Sequence, residues 1–486
     1  MINCFIPFLS LPQARQTVRA LGLCDRIKNI YLLATEKIPD EVEGCEMLMI
    51  DSPASTATFR TIALHADTAY TLLYTKYTAF EPGQFAFERL LAIAGDTNAG
   101  MLYADRYLLK NGNSQQAPVI DYQKGSLRDD FDFGSLLFFR SSVLKQAVRA
   151  MDADYRFAGL YDLRLRVSEL AELVHVNEYL YSEVKTDIRK SGEKLFDYVD
   201  PKNRAVQIEM EAVCTAYLKR VGGYLAPDFE PVTFDAGGFE QEASVIIPVR
   251  NRIRTIEDAI RSVLAQKTTF RFNLIIVDNH STDGTSEAIG KYTADGRVVH
   301  LVPERSDLGI GGCWNVGVHH PACGKFAVQL DSDDVYSGPD TLQKIVDAFY
   351  EQNCAMVVGT YRMTDFKMNE IPPGIIDHRE WTLENGRNNA LRINGLGAPR
   401  AFYTPVLRRI NLPNTSYGED YALGLRISRT WRIGRIYDVL YLCRRWEDNS
   451  DAALDVVKMN GHNIYKDRIR TWELQARIAL NAHSPK

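Results

Sequence analysis

Phe326-Ala327-Val328-Gln329-Leu330-Asp331-Ser332-Asp333-Asp334 is a buried-strand pattern that ends in three carboxylates within four residues. Left unpaired, such a cluster costs roughly several kcal/mol in repulsion and desolvation, so it faces water or holds a cation. Its oxygens are hard ligands that suit Mg2+ or Mn2+, which prefer carboxylates completed by substrate phosphates to a full protein cage. In an open α/β sheet the C-terminal end of a strand is also where ligands bind. Taken alone, the tetrad reads more readily as a solvated acidic turn. Its neighbours change that reading.

Upstream, three more strand patterns stand in order: Ala243 to Pro248, Phe272 to Val277 and Val298 to Val302. A helical pattern over Thr255–Gln266 separates the first two, and one over Cys313–His319 stands between the third and Phe326. The alternation predicts a doubly wound, mostly parallel α/β sheet. The same order occurs earlier, with strands expected at residues 2–8, 30–33, 46–50, 70–74 and 100–104. Helices are expected there over Pro12–Leu23, Ser55–Ala66 and Gln84–Ala94. Laid on one another, the two halves align Leu72–Tyr77 with Gln329–Asp334, and Leu163–Ser168 with Leu423–Ser428. The chain is therefore read as a duplicated domain. That alignment puts Lys76 among the aspartates of the second copy, and a lysine repels a divalent cation. The first copy is accordingly expected to lack the metal chemistry. The expected boundaries are 1–185 for the degenerate copy, 186–242 for a helical linker, 243–465 for the catalytic copy and 466–486 for a C-terminal helix. The linker contains Lys190-Ser191-Gly192-Glu193-Lys194 and a helical pattern from Pro201 to Val221.

The 486 residues, 45% hydrophobic and 24% charged, give room for two or three domains. A net charge of -5 argues against a general nucleic-acid binder. The first residues lack the basic start and apolar core of a secretion signal, and no apolar run approaches the ~18 residues of a membrane span. The eight cysteines form no CxxC pair, so reduced thiols are expected rather than a disulfide framework or a zinc site. These features predict a cytoplasmic protein, with a peripheral place at the inner membrane face left open.

Several stretches together resemble family 2 glycosyltransferases of the GT-A fold, over about residues 243–465. Val245-Ile246-Ile247-Pro248-Val249-Arg250-Asn251 resembles the family's opening strand and Pro-x-x-Asn turn. Ile276-Val277-Asp278-Asn279-His280-Ser281-Thr282-Asp283-Gly284-Thr285 is similar to its VDDGSTDGT segment, with Asn279 and His280 as departures. Gly309-Ile310-Gly311-Gly312-Cys313-Trp314-Asn315 resembles its Gly-rich turn into a helix, although Cys-Trp replaces Ala-Arg. Leu330 to Asp334 is its DxD motif, and Gly418-Glu419-Asp420 resembles the acidic pair near the acceptor. Arg444-Arg445-Trp446 resembles the tail of the QxxRW motif of processive members, without its Gln.

The resemblance implies two tandem Rossmann-like GT-A domains, the second a metal-dependent, inverting hexosyltransferase. Its donor would be a UDP- or GDP-sugar, its acceptor a hydroxyl of a glycan or glycoconjugate, and its cofactor Mn2+ or Mg2+. Pro248, Arg250, Asn251, Asp278, Asn315, Asp331 and Ser332 would bind the nucleotide-sugar. Asp331 and Asp333, with His462 from a C-terminal loop, would hold the metal. Asp420 would be the base, with Glu419 orienting it or carrying the role itself. Two adjacent carboxylates push one pKa up, which suits a base near neutral pH; both residues also suit the first turn of a helix. Gly397, Arg400, Trp381 and Arg445 would line the acceptor site, and Trp314 could stack on sugar or base. Two alternatives stay open: a two-site polysaccharide polymerase, and a non-catalytic carbohydrate-binding scaffold on a GT-A frame. A homo-oligomer is also left open.

Overall fold

A computed structural model describes residues 1–37, 40–110, 112–184, 203–446 and 455–483. It divides into two compact units, one built on the first half of the chain with residues 205–222 and 455–471, the other on residues 223–446 and 472–483. The basic run at 190–194 and Pro201 lie outside the described residues.

The first unit holds nine described strands: β1 (Ile2–Pro7), β2 (Ile27–Ala34), β3 (Glu46–Met49), β4 (Tyr70–Tyr74), β5 (Phe80–Pro82), β6 (Met101–Lys110), β7 (Asn113–Ala117), β8 (Leu136–Arg140) and β9 (Leu173–Val184). Its helices are α1 (Leu11–Gly22), α2 (Thr56–His65), α3 (Ala86–Thr97), α4 (Ser141–Arg149), α5 (Gly159–Leu170) and α6 (Arg204–Arg220). Local chemistry explains their starts. The Ser10 hydroxyl accepts from the Gln13 N–H and Ser55 from Thr58, each capping a helix. Along α1, Ala14, Thr17, Val18 and Leu21 recur at helical spacing and are buried. On β1, Ile2, Cys4 and Ile6 enter one hydrophobic cluster and Phe5 the other, so the sheet is covered on both faces.

The second unit repeats the plan. Its strands are β10 (Ala243–Val249), β11 (Phe272–Asp278), β12 (Val298–Leu301), β13 (Phe326–Gln329), β14 (Val335–Tyr336), β15 (Met356–Thr364), β16 (Glu370–Ile376), β17 (Arg400–Tyr403) and β18 (Ile433–Arg444). Its helices are α7 (Ile256–Leu264), α8 (Thr285–Gly290), α9 (Ile310–His319), α10 (Thr341–Gln352), α11 (Gly386–Asn389), α12 (Thr404–Ile410) and α13 (Glu419–Ser428). The last helix, α14 (Val456–His483), begins ten residues before the boundary expected at 466. Its residues 456–471 group with the first unit and 472–483 with the second.

The strand order is β3-β2-β1-β4-β8-β6-β9-β5 in one sheet and β12-β11-β10-β13-β17-β15-β18-β14 in the other, with β7 and β16 hanging on β6 and β15. The two orders are identical element by element. Both sheets are parallel over their first four strands and mixed beyond. The expectation of two tandem α/β domains is met, with less parallel character than the alternation suggested. A second signature is finer. The parallel pair β6–β9 slips in register twice, around Asp105, and β15–β18 slips twice around Thr360. Irregularities placed alike in both sheets mark one ancestral ladder.

This ladder corrects the sequence alignment by one residue. Thr71, Phe139 and Met101 form one cross-sheet row, and Ala327, Phe402 and Met356 its counterpart. Counting on, Thr75 takes the place of Asp331, Lys76 that of Ser332 and Tyr77 that of Asp333. Apolar strands permit a one-residue slip by sequence alone; the hydrogen-bonded rows do not. Lys76 lies 3.3 Å from the buried Glu183, which also pairs with Arg106 at 2.9 Å and with the Ser135 hydroxyl.

Candidate active site

Three strand ends of the second unit build the site: β10, β11 and β13. β11 ends at Asp278, which is fully buried. Its Oδ1 accepts from the Ser281 N–H at 3.0 Å, its Oδ2 from the Ser286 hydroxyl, and His300 lies 3.5 Å away. Burial opposes ionisation, but those hydrogen bonds outweigh it and hold the carboxyl below its ordinary range. Asp278 therefore organises its own turn. Asn251, at a positive φ of 54°, accepts from the Thr282 N–H at 2.8 Å, and its own N–H donates to the Ser281 hydroxyl. Pro248 is half-buried and Arg250 exposed beside this turn. Asn315 does not join them. Its amide donates to the Leu412 carbonyl and accepts from the Leu412 N–H, so its polar atoms are spent on packing α9 against residues 411–415.

Beyond β13 the three aspartates separate by environment. Asp334 is buried; its Oδ1 accepts from the Arg444 N–H at 2.7 Å, and burial, then Asp333 and Asp331, raise its carboxyl well above the ordinary range. Asp331 and Asp333 are partly exposed, with Ser332 buried between them. Burial first raises Asp331, with Asp333 adding to it and Arg400 opposing. Two half-buried carboxylates that repel one another fit a divalent cation whose remaining ligands come from a substrate. A nearby donor set completes the frame. Gln329 donates to Asp331 Oδ1 at 2.9 Å and accepts from the Arg400 N–H at 3.2 Å, while the Tyr441 hydroxyl accepts from the Asp331 N–H at 3.1 Å.

Arg400 carries the frame to the acidic pair. It donates from Nη1 to the Gly397 carbonyl at 2.8 Å and lies 2.7 Å from Asp420 Oδ2. Glu419 and Asp420 stand in the first turn of α13, after Gly418 at φ 79°. Glu419 is 9% exposed, and burial first, then Asp420, push its carboxyl up to about 8. At neutral pH Glu419 is thus an acid, while Asp420 is the negative partner of an ion pair. Gly311 makes this placement possible: a Cβ there would run into the Pro413 carbonyl and crowd the Glu419 Cβ.

The remaining expected residues fall differently. Gly397, at φ 105°, is buried against His378 and Val358. Trp381 is 6% exposed, seated on Gly386, so it offers no open face. Trp314 is buried edge-on to Phe402. The Arg445 N–H donates to the Thr364 carbonyl at 2.8 Å, and its side chain is half-buried. His462 stands on α14 rather than on a loop, in the stretch that groups with the first unit. Burial, then Lys458 and Lys466, lower its pKa, and that cationic neighbourhood also disfavours a metal. Sequence reasoning gave no site role to Gln329, Tyr441, Trp446 or Arg252. The pairing of β13 with β17, the reach of β18 to the Asp331–Asp334 turn and the turn after β10 bring them there.

Residues 244–409 match the family model described as glycosyl transferase family 2. Over that segment, about a third of the chain, the protein is similar to family 2 glycosyltransferases. The matched segment contains the strand ends, Asp331, Asp333 and Arg400, whereas Glu419, Asp420 and Trp446 lie beyond it. An uncharacterized glycosyltransferase of Rickettsia felis is 30% identical over 200 residues, 40% of this chain and 32% of its own length. TuaG of Bacillus subtilis, named for teichuronic acid biosynthesis, is 33% identical over 120 residues, 25% of this chain and 46% of its own. The chain spans between 15% and 46% of the length of such curated relatives. A crystal structure of S. aureus TarS with UDP-GlcNAc aligns at 22% identity and a TM-score of 0.38, over 49% of this chain and 72% of that one.

Proposed function

We propose that the second unit transfers a glycosyl group from a UDP- or GDP-sugar to a hydroxyl of a glycan or glycoconjugate, with inversion. The observation that carries this reading is the connected set Asp331–Gln329–Arg400–Asp420, which ties the donor-side carboxylates to a single acceptor-side base. Asp331 and Asp333 would hold Mn2+ or Mg2+, which when bound neutralises the charge that develops on a diphosphate leaving group. Asp420 takes the proton of the acceptor hydroxyl as it attacks, and Arg400 orients that carboxylate. Glu419, kept protonated, limits the negative charge beside the base. Asp420 as the base, with Glu419 kept protonated beside it, supports inversion.

Among its described residues the first unit carries no second copy of this carboxylate set at the matching positions. The ladder puts Thr75 and Tyr77 where the metal carboxylates stand. The matched helices α5 and α13 put Gly159 and Leu160 where the acidic pair stands. Gly159 is also closed off, since a Cβ there would lie 2.6 Å from the Thr56 nitrogen. A single-site transferase is therefore favoured over a two-site polymerase. The name of TuaG supports an acceptor in surface polysaccharide synthesis. No helix among the described residues is long and apolar enough to cross a membrane.

Asp420→Asn tests the reading. Transfer should fall by about 10²–10⁴-fold, the usual contribution of a positioned base, while Mn2+-dependent nucleotide binding persists. Wild-type turnover in this variant, or loss of nucleotide binding with it, would remove Asp420 from the role.

A further inference from the structure

The end of β18 is clamped onto the acidic turn, and the clamp delivers one more side chain to it. Arg444 donates from its N–H to Asp334 Oδ1 and from Nε to the Asp333 carbonyl. Its Nη1 reaches Asp258 Oδ2 at 2.8 Å, and its guanidinium lies 4.8 Å over the Phe366 ring. Two residues on, Trp446 donates from Nε1 to Asp333 Oδ2 at 3.2 Å. The indole is seated on three sides: Phe366 edge-on at 5.3 Å, Arg254 at 4.8 Å and Arg252 at 5.8 Å from the ring. Arg252 Nε also lies 3.9 Å from the same Asp333 Oδ2.

The chemistry of these groups limits what they can do there. An indole N–H is a donor only, so Trp446 cannot ligate a cation, whereas it can hold one oxygen of a carboxylate that does. At 3.9 Å Arg252 Nε adds attraction, while the indole N–H supplies a hydrogen bond that directs Oδ2 of Asp333. Carboxylates that bind metals are themselves held by such outer partners. We propose that Trp446 is a positioning residue for Asp333, turning its carboxylate toward a divalent cation at the Asp331–Asp333 turn. This rests on the reading of that turn as the metal site. It gives the Arg-Trp tail a task in metal affinity that needs no Gln.

The experiment titrates Mn2+ into the full-length chain and follows the electron paramagnetic resonance signal of free Mn2+, for wild type, Trp446→Phe and Asp333→Asn. Trp446→Phe keeps an aromatic ring in the seat while removing the N–H donor and part of the indole's bulk. Its Mn2+ affinity should weaken by about 10- to 100-fold, the usual effect of losing an outer partner, and turnover should recover at saturating Mn2+. Phe366→Leu, which loosens the seat of the ring, should weaken Mn2+ in the same direction, and serves if Trp446→Phe does not fold. Unchanged or tighter Mn2+ binding in these variants overturns the positioning role. Mn2+ binding that is equal in wild type and Asp333→Asn removes the metal site itself, and the proposal with it.

Discussion

Glu419 and Asp420 are adjacent, yet one is buried and raised to about 8 while the other lies half-buried against Arg400. The raised group has a consequence for stability. Unfolded, Glu419 titrates near 4.5; folded, near 8. Between those values the folded chain keeps a proton that the unfolded chain has released, so stability falls as pH rises across the window. Glu419→Gln removes that slope. Urea unfolding at pH 5 and pH 8 should show the variant gaining on wild type, by on the order of 2 kcal/mol at the higher pH; a gap that does not change with pH contradicts the assignment. At this scale the sequence disclosed acids by type and spacing: Asp331, Asp333, Glu419 and Asp420 stand together in their motifs. It could not disclose Gln329 or Tyr441, whose partners lie 71 and 110 positions away. Nor could it show that Asn315 and Trp381 are spent on packing, because a motif fixes a residue's place but not what its polar atoms meet.

The elements that were legible are those buried on both faces. β10 and β11 are mostly apolar and buried almost throughout, and α7 shows Ile256, Ala259, Ile260 and Val263 at helical spacing. β14, two residues long, and β17, four, carry no periodicity to read, yet β17 brings Arg400 to the site. The Gly-rich start of α9 resembles in sequence the family's turn into a helix; in the fold its glycines admit residues 413–415, behind which the acidic pair is aimed. Gly311→Ala should therefore displace α13, lower kcat, and cost about 1–3 kcal/mol of stability in denaturant unfolding, as overpacked sites do. Full activity and stability in that variant would mean the packing does not aim the pair.

At the scale of the molecule, duplication was visible in the order of elements, but its register needed the cross-strand rows. Those rows give the first unit Thr75, Lys76 and Tyr77, with Lys76 and Arg106 on the buried Glu183 in place of a cation. Lys76→Ala should leave kcat and donor KM as they are while lowering the melting temperature of the chain, since it strips one partner from a buried carboxylate. A complete loss of turnover in a folded variant would show that the first unit takes part in the chemistry. The central claim is a metal-dependent nucleotide site at Asp331 and Asp333. The measurement that tests it most directly is a thermal-shift panel of UDP, GDP, CDP and dTDP, each with and without Mn2+, on wild type and Asp333→Asn. One diphosphate should stabilise the wild type only with Mn2+, by roughly 2.7 kcal/mol at a hundred times its Kd, and should not stabilise Asp333→Asn. Stabilisation that needs no metal, or that survives Asp333→Asn, would contradict the account.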